Sequence, residues 1–157
     1  MDYIIRELRK SEYPLLKDFL YEAIFVPEGV KPPPRTIIQE PELRIYVDHF
    51  GEDKNDWALA AESDMKIIGA VWVRIMDDYG HVEEETPSFA VSLSPEYRGM
   101  GIGTALMREM LALLKCKGYA RASLAVQKAN YAVNMYRNLG FAAIDENDEE
   151  YIMVKYI

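Results

Sequence analysis

Cysteine, histidine and positive charge are all scarce in this chain. A single cysteine, Cys116, stands among 157 residues, so no intramolecular disulfide forms and a cysteine-rich metal site is excluded. The only histidines are His49 and His81, with no H-E-x-x-H pattern, so no metal is expected. Lys and Arg number 18 against 26 Asp and Glu, a formal charge of −8. That balance argues against nucleic acid as the main partner, because phosphate contacts need clustered cations. No apolar run approaches the roughly 20 residues of a membrane span. The start, Met1-Asp2-Tyr3-Ile4-Ile5-Arg6-Glu7, is too charged for a secretory leader. The expectation is a soluble cytoplasmic protein, monomer or homodimer, with no membrane or nucleic-acid partner.

Half of the residues are hydrophobic, which is enough for an ordered core. The length suits one domain over 1–157. Acidic residues gather at Asp77, Asp78, Glu83, Glu84 and Glu85, and again over 145–150. They read as solvated surface or, alternatively, as a field that attracts a cationic amine.

Residues 3–8 read as a strand, and Ser11 as an N-cap for a helix over about 12–25, with Pro14 in its first turn. Residues 26–35, with Pro27, Gly29 and Pro32-Pro33-Pro34, read as a stiff loop. A second helix is predicted over about 39–50, with Pro41 in its first turn. Residues 57–62 and 66–75 read as a hairpin around Ser63-Asp64, and 88–93 as a fourth strand. Ile102, Ala105, Leu106, Met110, Leu113 and Leu114 recur at helical spacing, and Gly118 ends that helix. Cys116 at its apolar end reads as structural, and Trp57 and Trp72 as core. Another strand (119–126), a short helix (131–138) and two strands (140–144, 151–155) follow. The predicted order is β-α-α-β-β-β-α-β-α-β-β, an α/β chain with one mixed sheet and helices packed on it.

The chemical signal is Ser94-Pro95-Glu96-Tyr97-Arg98-Gly99-Met100-Gly101-Ile102-Gly103-Thr104. It follows an apolar strand and opens an amphipathic helix. Alternating glycines permit a tight turn close to a ligand. The free N–H groups of a helix start point at an anion, and Arg98 adds a charged fork for phosphate. A P-loop needs Gly-Lys-Ser/Thr where Gly103-Thr104-Ala105 stands. A dinucleotide fingerprint counted from Gly99 finds its third glycine one place early, and Leu124-Ala125-Val126 holds no acid for a ribose.

Arg98-x-x-Gly101-x-Gly103 resembles the acyl-coenzyme A pyrophosphate loop of the GNAT superfamily of N-acetyltransferases. Ile5-Arg6-Glu7-Leu8 before a helix, and Ile68-Gly69-Ala70 in the hairpin, resemble the family's opening and its second and third strands. Ala132, Tyr136, Leu139, Gly140 and Phe141 resemble its later motif. The family's Asn stands three residues before that Ala; here Ala129 holds the place and Asn130 follows.

The resemblance implies an acyl-CoA N-acyltransferase fold and an enzyme moving an acetyl group from acetyl-CoA to a primary amine of a small molecule or peptide. The amine attacks the thioester directly. Strands four and five are expected to splay beyond a bulge in the fourth. The pantetheine is expected along Val91, Ser92 and Leu93, and the diphosphate on Arg98, Gly99, Met100, Gly101, Ile102, Gly103 and Thr104. Asn130 is expected at the pantetheine arm or as a helix N-cap. A backbone N–H beside the thioester would serve as oxyanion donor. Tyr136 is the implied partner of the leaving sulfur; with a phenol pKa of about 10 and a thiol of about 8.5, hydrogen bonding is most of that role. Glu85 is the candidate base, with His81 as alternative. The acceptor is expected at Tyr21, Phe25, Tyr79 and the loop over 23–41. A non-catalytic acyl-CoA sensor and a nucleotide-binding module remain the rival readings.

Overall fold

The computed structural model describes residues 1–76 and 86–157. Its elements are β1 (Ile4–Glu7), α1 (Leu16–Ala23), α2 (Pro41–Arg44), β2 (Trp57–Ser63), β3 (Lys66–Arg74), β4 (Ser88–Leu93), α3 (Ile102–Cys116), β5 (Arg121–Gln127), α4 (Ala132–Asn138), β6 (Ala142–Glu146) and β7 (Glu150–Tyr156). Short 3₁₀ turns precede α1 (Lys10–Leu15), α2 (Arg35–Gln39) and α3 (Pro95–Tyr97). The order is the one the sequence predicts. The seven strands form one sheet, β1-β2-β3-β4-β5-β7-β6, in which β4 and β5 run parallel and the other neighbours antiparallel.

Alternation along the strands sends apolar side chains to both faces. Leu59, Val71, Val73, Leu124 and Met153 meet α3 and α4. Ala58, Ala60, Ala70 and Trp72 meet α1 and the segment after α2. Helix α3 presents Ile102, Leu106, Met110 and Leu114, one residue per turn and all buried, which fixes it on the sheet. Small residues dominate under α1, so Leu16, Phe19 and Leu20 sit close to the strands. Among the described residues no helix is long and apolar enough to cross a membrane.

Several local expectations are corrected. Ser11 does not cap α1 but lies inside the 3₁₀ turn. The reason is Glu12, whose Oε1 accepts the Arg9 N–H at 2.8 Å while Arg6 holds both of its oxygens. The long second helix shrinks to Pro41–Arg44. The Arg74 guanidinium takes the carbonyls of Ile45 (3.1 Å) and Asp48 (2.7 Å), and the Trp72 indole takes that of Tyr46 (3.1 Å). A continuing helix would have used those acceptors itself. His49 and Gly51, at φ 53° and 99°, complete the break. The β2–β3 turn falls one residue later than expected, on Asp64 and Met65, both left-handed. Cys116 is exposed rather than packed.

The expected bulge in β4 is absent from the β3–β4 ladder, whose register runs unbroken from Gly69↔Leu93 to Arg74↔Ser88. The irregularities are in β2 at Ala61/Glu62 and in β6 at Ala143/Asp145.

Candidate active site

Strands β4 and β5 touch at one pair, Ser88↔Ser123, closed by the Ser123 N–H on the Pro87 carbonyl at 3.0 Å. Beyond it they separate. Ser94 donates to the Ile68 carbonyl at 2.9 Å, which sets the phase of the β3–β4 ladder. Hydrogen-bonded pairs alternate, so the even residues of β4 bond to β3 and the odd ones turn the other way. The N–H and C=O groups of Val91 and Leu93 therefore face the gap, where no strand meets them among the described residues. Ser92 is placed differently from its neighbours. Its backbone pairs with Ala70, and its hydroxyl donates to the Phe19 carbonyl at 2.5 Å, tethering α1 to the sheet.

At the end of β4 the chain turns into α3. Gly99 and Gly101 adopt φ 76° and 83°, which favour glycine, and a Cβ at either would meet no atom within 4 Å. Gly101 is the N-cap of α3, and no side chain caps the helix. Ile102 is buried in the core, whereas Gly103 and Thr104 border a cavity of about 900 Å³. Arg98 borders it too, its Nη2 donating to the Glu22 carboxylate (2.8 Å) and carbonyl (3.1 Å) at the end of α1. Met100 projects to solvent. The residues present fit a diphosphate: an uncapped helix start, open space above two left-handed glycines, and a guanidinium at the rim.

Tyr136 of α4 is 9% exposed and packs edge-on against Phe141 at 6.1 Å. Burial pushes its pKa up to about 12, so the phenol stays protonated. Among the described residues nothing hydrogen-bonds its hydroxyl. It borders both the cavity of about 900 Å³ and a second one of about 1040 Å³. Asn130 borders both as well, and its Oδ1 accepts the Ala132 N–H at 2.9 Å, bracing the turn into α4, whose N-cap is Tyr131. Val91 is common to the two cavities, as are Ala23, Ile24 and Phe25 after α1. The gap between β4 and β5 thus joins the cavity beside the start of α3 to a second one walled by α1, α2 and the sheet. Tyr21 keeps the proline loop beside the first of these by donating to the Pro33 carbonyl at 2.6 Å.

Glu85, His81, Tyr79 and the acidic residues Asp77, Asp78, Glu83 and Glu84 lie outside the described residues. Sequence reasoning missed Glu22, the partner of Arg98, and Glu42, Gln127 and Glu150, which line the second cavity. Partial burial and the adjacent Glu149 raise the pKa of Glu150. Among the described residues no three His, Cys, Asp or Glu side chains group as metal ligands would.

The model of the Acetyltransferase (GNAT) family matches residues 7–141. N-acetyltransferase 8B of Homo sapiens is 34% identical over 82 residues, 52% of this chain and 36% of that protein. A mycothiol acetyltransferase of Arthrobacter sp. (strain FB24) is 31% identical over 108 residues, 68% of this chain and 33% of that protein. The chain thus spans about a third of the length of these curated relatives. Among solved structures, the PaiA N-acetyltransferase of Thermoplasma acidophilum in complex with coenzyme A superposes with TM-score 0.74 at 22% identity, covering 100% of both chains. A phosphinothricin acetyltransferase of Sinorhizobium meliloti in complex with AcCoA superposes with TM-score 0.69 at 18% identity, covering 100% of this chain and 89% of that one. These two likenesses are of fold.

Proposed function

Because this chain belongs to the Acetyltransferase (GNAT) family, we propose that it transfers an acetyl group from acetyl-CoA to a primary amine. The observation that carries this is the single-pair junction of β4 and β5, which leaves the backbone of Val91 and Leu93 free and leads to the uncapped start of α3. An extended pantetheine fits that edge as an added strand. The diphosphate fits the N–H groups above Gly101, with Arg98 turning from Glu22 toward it.

In this reading the thioester lies where the two cavities meet. The neutral amine nitrogen enters from the α1/α2 side and bonds to the acetyl carbon. An N–H of the open β4 edge supports the oxyanion. The C–S bond then breaks, leaving an amide and a thiolate that takes up a proton. In this reading Tyr136, protonated and with no hydrogen-bond partner among the described residues, donates to that sulfur. Titration calorimetry with coenzyme A, followed by thiol release from acetyl-CoA with a panel of amines, tests the proposal. Binding with amine-dependent thiol release is expected. A folded protein that binds no coenzyme A would overturn it, and binding without turnover on any amine would leave an acyl-CoA sensor.

A further inference from the structure

The charge lining the second cavity is of one sign. Among its described lining residues the only ionisable groups apart from tyrosines are Glu42 of α2 and Glu150 of β7, and no Lys, Arg or His joins them. Neither carboxylate has an ion-pair partner among the described residues. Carboxylates elsewhere against the sheet do have one: Glu12 and Glu62 meet Arg6, and Asp56 meets Arg74. The cavity, walled mostly by Leu, Ile, Phe, Val and Ala, is thus bordered by two carboxylates, Glu150 half-buried and Glu42 exposed, with no cationic side chain among its described lining residues.

Glu150 is displayed by a rigid piece of backbone. Its N–H donates to Asn147 Oδ1 at 2.8 Å and its carbonyl accepts the Asn147 N–H at 3.0 Å, inside the tight β6–β7 turn. Register places it opposite Gln127, so the two side chains leave the sheet on one face. Val126 and Leu124, one and three residues before Gln127, alternate with Ala125, and the even pair packs against α3 and α4. Glu150 and Gln127 therefore face the α1/α2 side, where the cavity lies. Tyr136, whose ring is buried and whose hydroxyl has no hydrogen-bond partner among the described residues, borders the same cavity. The lining of this space thus combines Tyr136 with two carboxylates from elements distant in sequence.

We propose that the acceptor is a small primary amine carrying a second ammonium group, a diaminoalkane in chemical class, whose distal ammonium is held by Glu150 together with Glu42. The inference rests on the acetyl-transfer reading above. One nitrogen, as free amine, forms the N–C bond while the C–S bond breaks, and the proton it sheds balances the one taken by the thiolate. The distal ammonium keeps its charge throughout. The apolar wall strengthens that attraction relative to water. An acceptor with a distal carboxylate meets two like charges. The raised pKa of Glu150 agrees with a site short of positive charge, and an arriving ammonium would lower it.

The test compares diaminobutane, the amino alcohol of equal chain length and the corresponding amino acid, which differ only in the distal group. Wild-type protein, Glu150→Gln and Glu42→Gln are assayed for thiol release, and coenzyme A affinity is measured by calorimetry on each. The expected kcat/KM order is diamine, amino alcohol, amino acid, with about tenfold or more between the first two, as for one charge-assisted hydrogen bond. Glu150→Gln should collapse that ratio through the diamine KM, leaving amino-alcohol turnover and coenzyme affinity near wild type. Lowering pH through the raised pKa of Glu150 should increase the diamine KM relative to that of the amino alcohol in the wild type but not in Glu150→Gln, protonation of the reacting amine being common to both acceptors. Equal use of the three acceptors, preference for the amino acid, or a Glu150→Gln loss shared by all three would overturn the proposal. Should coenzyme A bind with no turnover, diamine titrated into the coenzyme-loaded protein decides: no binding overturns this inference alone. Absence of coenzyme binding overturns the reading beneath it.

Discussion

Two glycines at opposite ends of α3 separate a role in the fold from a role in coenzyme binding. Gly101 caps the start of the helix at φ 83°, and Gly118 follows its end at φ 91°. A Cβ built at either meets nothing within 4 Å. Alanine at either site therefore costs only backbone strain, about 1–2 kcal/mol for an L-residue in the left-handed region. The stiffer unfolded chain offsets about 0.4–1 kcal/mol of that. The net loss of about 1 kcal/mol lowers Tm by roughly 2–4 °C in a domain of this size. The two alanine variants should be equally destabilised.

Only one of them should lose ligand. The helix spans 15 residues, so Gly118 is roughly 22 Å from the phosphate cradle. At Gly101 a methyl group enters the space through which a diphosphate reaches the N–H groups of Gly103 and Thr104, and Gly101→Asp adds a negative charge. At about 5 Å and an effective dielectric of 20–80 that charge repels each phosphate charge by about 1–3 kcal/mol, roughly 5- to 150-fold in Kd. Thermal denaturation and calorimetry with coenzyme A at fixed ionic strength should show equal Tm losses for the alanine pair, unchanged affinity for Gly118→Ala, weakened affinity for Gly101→Ala and the weakest for Gly101→Asp. A folded Gly101→Asp variant with wild-type affinity would refute the placement of the diphosphate.

Tyr136→Phe keeps the packing on Phe141 and removes one hydroxyl, so kcat should fall about 10- to 1000-fold with coenzyme affinity unchanged. With the pKa of Tyr136 pushed up to about 12, the wild-type rate profile should show no inflection near the ordinary tyrosine value of 10. Glu22 and Arg98 should act with opposite signs in calorimetry. Arg98→Gln weakens coenzyme A about tenfold, whereas Glu22→Gln frees Arg98 and tightens binding by a few-fold, the scale of a partly exposed ion pair. Arg6 holds the Glu12 carboxyl at about 2, below its ordinary 4.5, so its stabilisation is complete above pH 4.5 and is lost as pH falls toward 2. Urea titrations should find Glu12→Gln less stable by about 1 kcal/mol at neutral pH, with the gap closing over that acid window.

The features legible in the sequence are those with local causes. Helix α3 follows from apolar residues one turn apart, and its start from glycines that tolerate positive φ. Each is decided within a few residues. The errors have distant causes. The second helix stops because Arg74 and Trp72, roughly thirty residues later in the chain, take its carbonyls. The expected cap at Ser11 yields to an ion pair closed by Arg6 from the preceding strand. Glu150 reads as one acid in a solvated run from 145 to 150, and only its register with Gln127 turns it toward the cavity. Glu22 sits 76 residues from Arg98, so no spacing rule connects them.

The junction where the sheet opens is built from a proline carbonyl and two small buried residues. Pro87 lacks an N–H but supplies the carbonyl for Ser123, and the buried Ser88 and Ser123 let the two backbones meet there. The next residue of β4 is Phe89, whose ring stands edge-on to Phe141 at 6.0 Å, and Phe141 in turn meets Tyr136 at 6.1 Å. Three large rings thus pack together in the core on the α3/α4 side of the sheet, next to the junction. The odd-numbered edge of β4 is left with polar backbone groups that need partners from water or from a ligand. Tyr136 belongs to the same ring cluster and lines both cavities that meet at the open edge. Phe141→Ala removes the ring that Tyr136 packs against, so in the proposed reaction it should lower Tm and turnover together, whereas Tyr136→Phe lowers turnover alone.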